Sequence, residues 1–414
     1  MVHVLEFHLG KIKSHNTTTK ALLLLFTSVI FSTIAIYFLN TSFLQWPTSF
    51  IPGPKCEIFH GKWVPSPQNQ PYYYTNQTCH EIFEKQNCIK FGRHDTDFLK
   101  WRWKPHRCEL PLFDARQFLE LLRGKSMAFV GDSVGRNQMQ SLLCLLSTVE
   151  NPIYIDTIDS RHTSRVFRNY SFTVSAFWSP YLVESIETDD YPNNKTKTRL
   201  MILHLDKPSS SWRTQIQKFD YVIISATRWF FGPEVYYEND KIIGCHDCQK
   251  PNVKDLTMFY GYRKAFETTF KTLLKLENYR GVTVLRTLSP AHFEHGEWNN
   301  GGYCNRTSPV LISEMKLEWP DAELYLIQRE EFKVAKREGE ERGLKFRLLD
   351  ITDAMVVRPD GHPNHYGHSP EEKVTIADCV HWCLPGPIDS WNQFLLHVVK
   401  MEAEEENSVH RKGL

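Results

Sequence analysis

Apolar positions along the chain fall into short blocks separated by longer amphipathic stretches. "MAFV" (127–130), "RLMILHL" (199–205), "YVIIS" (221–225), "VTVLRTL" (282–288) and "KFRLLD" (345–350) are apolar runs of strand length, each bounded by polar or turn residues. Between them the period lengthens. Over Asp255–Asn278, the residues Phe259, Tyr262, Phe266, Phe270 and Leu273 recur three and four apart, which predicts a helix with Asp255 near its cap and Gly281 beyond its end. Another helix is predicted from Ser133 through Leu146. Short buried strands alternating with helices predict an α/β layered fold on a mainly parallel sheet. Such sheets carry their sites at the carboxyl ends of the strands. The charged segment 330–345 reads as a solvated helix face.

One block differs in kind. Ala21–Leu39 runs 19 residues without a charge, close to the roughly 20 needed to cross a bilayer as a helix. Lys11, Lys13 and Lys20 precede it, and no charge follows until Lys55. The positive-inside rule therefore predicts a single-pass type II signal anchor, with residues 1–20 cytosolic and the bulk of the chain lumenal. Residues 40–54 hold three prolines and no helical period, so they form a stem. Residues 55–107 carry cysteines among turn residues and little apolar periodicity, which predicts a small disulfide-stapled subdomain. A catalytic-sized domain follows over 108–400. The tail 401–414, acidic and then basic, is expected to be disordered.

Composition supports the lumenal placement and narrows the partners. The ten cysteines (Cys56, Cys79, Cys88, Cys108, Cys144, Cys245, Cys248, Cys304, Cys379 and Cys383) form an even set, as suits an oxidising compartment. Glycosylation sequons at Asn76, Asn169, Asn194 and Asn305 all follow the anchor. The net charge of +1, from 49 basic and 48 acidic residues, gives no bulk field favouring nucleic acid. Aromatic residues are plentiful, with 11 Trp, 17 Tyr and 26 Phe. Most serve core packing, but flat rings also stack on sugars. Trp382, Trp298 and Trp391 are the candidates for binding a glycan, followed by Trp101 and Trp103.

The candidate chemistry lies where a strand becomes a helix, in "FVGDSVGRNQMQSLLC" (129–144). Gly131 permits a tight turn, and Ser133 then falls at the helix N-terminus, where free N–H groups favour developing negative charge. Those are the needs of an acyl-transfer nucleophile with an oxyanion site. Ser and Asp are also ordinary helix caps, so the turn acquires chemical meaning only with a base. "DCVHWCLPGPIDSWNQFLL" (378–396) supplies one. Asp378 and His381 are three apart and can face the same way. The carboxylate orients the imidazole, which takes the serine proton and later returns it. Arg136 and Asn137, one turn beyond Ser133, are candidates for oxyanion or acetyl contacts, together with Gly131 and Asp132; packing beneath the turn is an equal alternative for the pair.

These two motifs look like the SGNH/GDSL esterase superfamily. The longer strings "CEIFHGKWVPSPQNQPYYYTNQTC", "NCIKFGRHDTDFLKWRWKP", "RTLSPAHFEHGEWNNGGYCNRT" and "RPDGHPNHYGH" resemble plant trichome birefringence-like proteins, Golgi polysaccharide O-acetyltransferases, over roughly Cys56–Val399. The pattern is nearest to the altered-xyloglucan-4 subgroup. The resemblance implies Ser133 as nucleophile, His381 as base and Asp378 as its partner, in an SGNH-like layered sandwich with four disulfides around the site. It implies a xyloglucan acceptor and an acetyl donor, acetyl-CoA or another carrier, and no bound cofactor or metal. It also implies a Gly within "ISATRWFFGP", where this chain has Thr227 and Arg228. An oxyanion amide at Thr227 would then sit on a restricted backbone. An acetyl-glycan esterase with the same triad and a non-catalytic glycan-binding protein remain the alternatives.

Two further motifs point away from catalysis. Cys245-His246-Asp247-Cys248 is half of a four-ligand zinc site, and a local disulfide suits the lumen better. His362, His365 and His368 have metal-like spacing, but Pro363 and Gly367 mark a loop, and no cysteine or acidic partner stands at suitable spacing nearby.

Overall fold

The structure, a computed structural model, describes residues 56–412 apart from 68–70, 158, 193–197, 370 and 373–375. The expected anchor at 21–39, its cytosolic flank, the stem and Asn194 lie outside the described residues. Strands β1 (Gly61–Pro65) and β2 (Trp101–Pro105) pair as an antiparallel ribbon. Then come β3 (Ser126–Gly131), β4 (Ile153–Ile155), β5 (His162–Phe167), β6 (Phe172–Trp178), β7 (Val183–Glu187) and β8 (Met201–Pro208). The last are β9 (Tyr221–Ser225), β10 (Glu234–Glu238), β11 (Lys241–His246), β12 (Val282–Arg286) and β13 (Lys345–Leu349). The longer helices are α1 (Ala115–Leu121), α2 (Ser133–Leu146), α3 (Thr257–Lys275), α4 (Asp321–Glu341) and α5 (Asp389–Lys412).

The main sheet runs β13-β12-β9-β3-β6-β5-β4. Its first five members are mutually parallel, and β5 and β4 extend one edge by antiparallel pairing. Strand β3 explains why such a sheet forms. Met127 and Phe129 enter the layer of α1, α2 and α5, whereas Ala128 and Val130 enter the layer of α3 and α4. Alternate side chains are thus buried on opposite faces, and the strand must be apolar throughout. A second sheet, β11-β10-β8-β7, packs beside α3.

Among the parallel strands, chain order maps onto spatial order as second, first, third, fourth, fifth. The winding therefore reverses between β3 and β9, and a crevice opens at their carboxyl ends. Gly131 ends β3 opposite Ser225, which ends β9. The turn carrying Ser133 stands at that switch point.

The cysteine-rich segment has no separate core. Ile58, Tyr74 and Trp103 belong to the same buried cluster as α2 and α5. Disulfides Cys56–Cys108, Cys79–Cys144 and Cys88–Cys383 fasten it, Cys304–Cys379 ties the loop before His381, and Cys245–Cys248 is a local bridge after β11.

The tail corrects one expectation: α5 continues through 401–412 instead of being disordered. Glu402 is buried and ion-paired to Lys345 at 3.0 Å and to Arg347. Glu405 pairs with Arg347 at 2.6 Å, and Glu406 reaches Lys345 and Lys125. Acidic composition suggested a solvated tail. Basic side chains on β13 and before β3 convert it into a docked helix.

Candidate active site

Gly131 is required by a close approach: a Cβ there would lie 1.5 Å from the Ser225 carbonyl oxygen. Asp132 follows as the N-cap of α2. Its Oδ1 accepts the N–H groups of Val134 (3.0 Å) and Gly135 (3.3 Å), and its Oδ2 accepts the Thr227 N–H at 2.9 Å. One buried carboxylate thereby ties the nucleophile turn to the loop after β9.

Ser133 is the first helical residue, and its Oγ lies 2.7 Å from His381 Nε2. His381 Nδ1 is 2.8 Å from Asp378 Oδ2, and Asp378 Oδ1 accepts the N–H groups of Val380 and His381 at 3.1 and 2.9 Å. With Nδ1–H donating to the carboxylate, Nε2 is left as the acceptor for the serine hydroxyl. Burial pushes Asp378 up, but His381 and the two amides outweigh it and hold the carboxyl well below the usual range. Burial likewise disfavours charge on His381. The attraction of Asp378 outweighs it, so the imidazole pKa is raised above its ordinary value. A hydroxyl, a base and an orienting carboxylate lie in line.

The loop carrying the base is held from several sides. Cys379 is bonded to Cys304 and Cys383 to Cys88. Asn137 brackets the next peptide, its Oδ1 accepting the Trp382 N–H (2.8 Å) and its Nδ2 donating to the Trp382 carbonyl (3.3 Å). Beneath lies residues 358–364. His362 Nδ1 donates to the His381 carbonyl at 2.6 Å, and its Nε2 meets His292 Nδ1 at 2.7 Å. Arg93 in turn donates to the carbonyls of Asp360 (2.6 Å) and His362 (2.9 Å). The "RPDGH" string is therefore the bed on which the catalytic loop rests.

Several candidates take other places. Trp382 and Trp391 are fully buried and cannot face a glycan, and Trp103 is buried too. The Trp382 indole donates to Ser289 Oγ at 2.8 Å, as an interior ring must satisfy its N–H. Trp298 is exposed. Thr227 has its amide taken by Asp132, and Asn137 has both side-chain atoms engaged, so neither is free to meet an oxyanion. Asp132 acts as a cap. The Ser133 N–H, at the first helical position, has no intrahelical acceptor. The sequence argument missed Trp229, which is 40% exposed and edge-on to Trp178 at 5.4 Å. Its signal was available, since it directly follows Thr227-Arg228. His362, weighed in the sequence only for its spacing to His365 and His368, is instead buried against His292, a pairing that leaves no pattern in a loop. Asn76, Asn169 and Asn305 are at least partly exposed.

A serine hydroxyl hydrogen-bonded to histidine, and through it to aspartate, at the switch point of a doubly wound sheet is the arrangement expected of GDSL/SGNH acyl-ester enzymes. In agreement, residues 110–398 match the "GDSL/SGNH-like Acyl-Esterase family found in Pmr5 and Cas1p", and residues 54–109 match the "PMR5 N terminal Domain". The chain belongs to the trichome birefringence-like proteins of that family. It is 53% identical over 84% of its length to protein trichome birefringence-like 19 of Arabidopsis thaliana, covering 82% of that protein. Identity to trichome birefringence-like 20 of the same plant is 49%, over 84% of this chain and 72% of that one. Xyloglucan O-acetyltransferase 2 of Arabidopsis thaliana is 42% identical over 84% of this chain and 83% of its own.

Proposed function

We propose that this protein is a Golgi polysaccharide O-acetyltransferase with xyloglucan as acceptor, working by double displacement. The observation that carries the proposal is the continuous alignment of Ser133 Oγ, His381 and Asp378 at 2.7 and 2.8 Å. In the first half-reaction Ser133 Oγ attacks the acetyl carbonyl while His381 Nε2 takes its proton. The tetrahedral oxyanion is met by the Ser133 N–H at the positive end of α2. His381 returns the proton to the leaving group, and an acetyl ester remains on Ser133. A sugar hydroxyl, deprotonated by His381, then attacks that ester and leaves acetylated. The xyloglucan O-acetyltransferases among the relatives support transfer and the choice of acceptor. The uncharged segment 21–39, the sequons and the disulfides support a lumenal, membrane-anchored setting. Exposed Trp229, beside the crevice, supplies a face for stacking the acceptor sugar.

The test incubates the full-length protein with acetyl donor and unacetylated xyloglucan oligosaccharide. The expected result is acetyl mass on the glycan, its loss in Ser133→Ala with the fold retained, and a raised acceptor KM in Trp229→Ala. Deacetylation of acetylated glycan without any gain makes the protein an esterase. Glycan binding unchanged by Ser133→Ala, with no chemistry in either direction, makes it a binding protein.

A further inference from the structure

A cavity of about 220 Å³ lies at the turn that leads into α2, lined by Gly131, Asp132, Gly135, Arg136, Arg161 and Trp178 among others. Arg136 follows Ser133 by one turn of α2 and is half-buried, its guanidinium 4.9 Å from the Trp178 ring centre and 5.6 Å from that of Phe83. It forms no hydrogen bond or ion pair among the described residues. Burial lowers its pKa, and Asp132 partly restores it. Asp132 offers no direct contact, because its oxygens are taken by three backbone N–H groups. Arg161, also in the lining, is held by Asp159 through Nε and Nη2 at 3.2 and 3.0 Å, and its Nη1 makes no hydrogen bond among the described residues. Ser160 and Thr163 belong to the same lining.

A partly desolvated guanidinium that makes no ion pair, and has only the field of Asp132 and two ring faces beside it, gains from an added anion. The acceptor proposed above, xyloglucan, is a neutral polymer and brings none. The other substrate of an acetyl transfer is the donor. We propose that this cavity binds the phosphate-bearing carrier of the acetyl donor, with Arg136 and Arg161 as its anion contacts. This rests on the acetyl-transfer function proposed above. The volume is below the roughly 300–1,000 Å³ of whole small-ligand pockets, which suits the charged end of a carrier whose acyl arm reaches Ser133. The step balances with a thioester donor. Ser133 Oγ forms the new C–O bond, the C–S bond breaks, and the carrier leaves as a thiol with the serine proton delivered by His381.

The experiment compares acetyl-CoA with S-acetyl-4′-phosphopantetheine and S-acetylpantetheine, the same acetyl thioester without the adenosine nucleotide and with or without a phosphate, on the full-length protein. Acetylation of Ser133 is followed by mass spectrometry, with ADP as a competing anion. Wild type is expected to prefer the phosphate-bearing donors over S-acetylpantetheine in kcat/KM and to be inhibited by ADP competitively with donor. Arg136→Lys, Arg136→Gln and Arg161→Gln are expected to reduce that preference, by roughly ten- to hundred-fold for the Gln variants, and to weaken ADP inhibition in parallel. Arg161 is exposed, so its variant tests the idea even where Arg136→Gln fails to fold. Equal labelling with and without phosphate in wild type, or a preference untouched by the Arg161 variant, overturns the inference while leaving acetyl transfer standing. No labelling of Ser133 by any of the three donors overturns both.

Discussion

In the proposed mechanism Ser133, His381 and Asp378 act as one unit, so each predicts what the others must show. Asp378→Asn would keep the shape but reverse the hydrogen bond to Nδ1, leaving Nε2 protonated and unable to accept from Ser133. A fall in kcat on the order of 10⁴ is expected, with little change in acceptor KM. The pH dependence follows from the raised pKa of His381. Nucleophilic attack needs the neutral imidazole, so kcat/KM should climb with pH and level off only above the ordinary histidine value near 6.5. Stability moves oppositely. A pKa raised by folding stabilises fully below the unfolded value and loses that contribution as pH rises through the folded one. Asp378, held low, contributes above its unfolded pKa and loses its share as pH falls into the acid range. A kcat/KM profile that is flat above pH 5 would contradict the assignment. At this scale the sequence was most legible for the triad, since nucleophile and base both sit in short, chemically constrained strings. It was least legible for tryptophan, because Trp382 beside His381 and Trp229 beside Thr227 differ in burial, and burial depends on the whole fold.

Among the elements, strand and helix cores were readable where apolar runs are continuous, as at β9, whose limits coincide with "YVIIS". Strands β5 and β6 were not. Both carry polar residues, Thr163, Ser164 and Arg165 in β5 and Thr173 and Ser175 in β6, so neither forms a continuous apolar run like that of β9. The loop 378–383 is the element on which the proposed activity turns, and it has almost no secondary structure. Its geometry comes from Cys304–Cys379, Cys88–Cys383 and the Asn137 bracket. Replacing Cys88 and Cys383 by Ser should therefore cost about 2–4 kcal/mol of stability and lower kcat by loosening His381. A thermal melt together with Ser133 acetylation rates checks both halves. A large loss of melting temperature with kcat intact would mean that Cys304–Cys379 and the Asn137 bracket suffice to hold the loop.

At the scale of the molecule, the cysteine-rich segment is a brace for the catalytic domain. Tyr72 and Tyr74 donate to Asp389 at 3.0 and 2.8 Å, at the start of α5. Arg358 pairs with Asp360 at 2.8 Å, donates to the Phe98 carbonyl at 2.6 Å, and lies over Trp63. The family strings noted in the sequence are the two sides of this contact, which no periodicity argument could have joined. Tyr74→Phe should cost about 1.5–3 kcal/mol, the value of a hydrogen bond to a buried carboxylate, and denaturant titration would measure it. No measurable change would mean that Tyr72 and Ser141 already satisfy Asp389. The bond between Cys88 and Cys383 spans 295 residues. During synthesis the earliest piece of the brace must wait for nearly the last. A ribosome paused anywhere upstream of residue 383 holds a chain whose Cys88 has no native mate, so any early oxidation of that thiol is a wrong one. Such a protein needs an isomerase at hand until its own carboxyl end arrives.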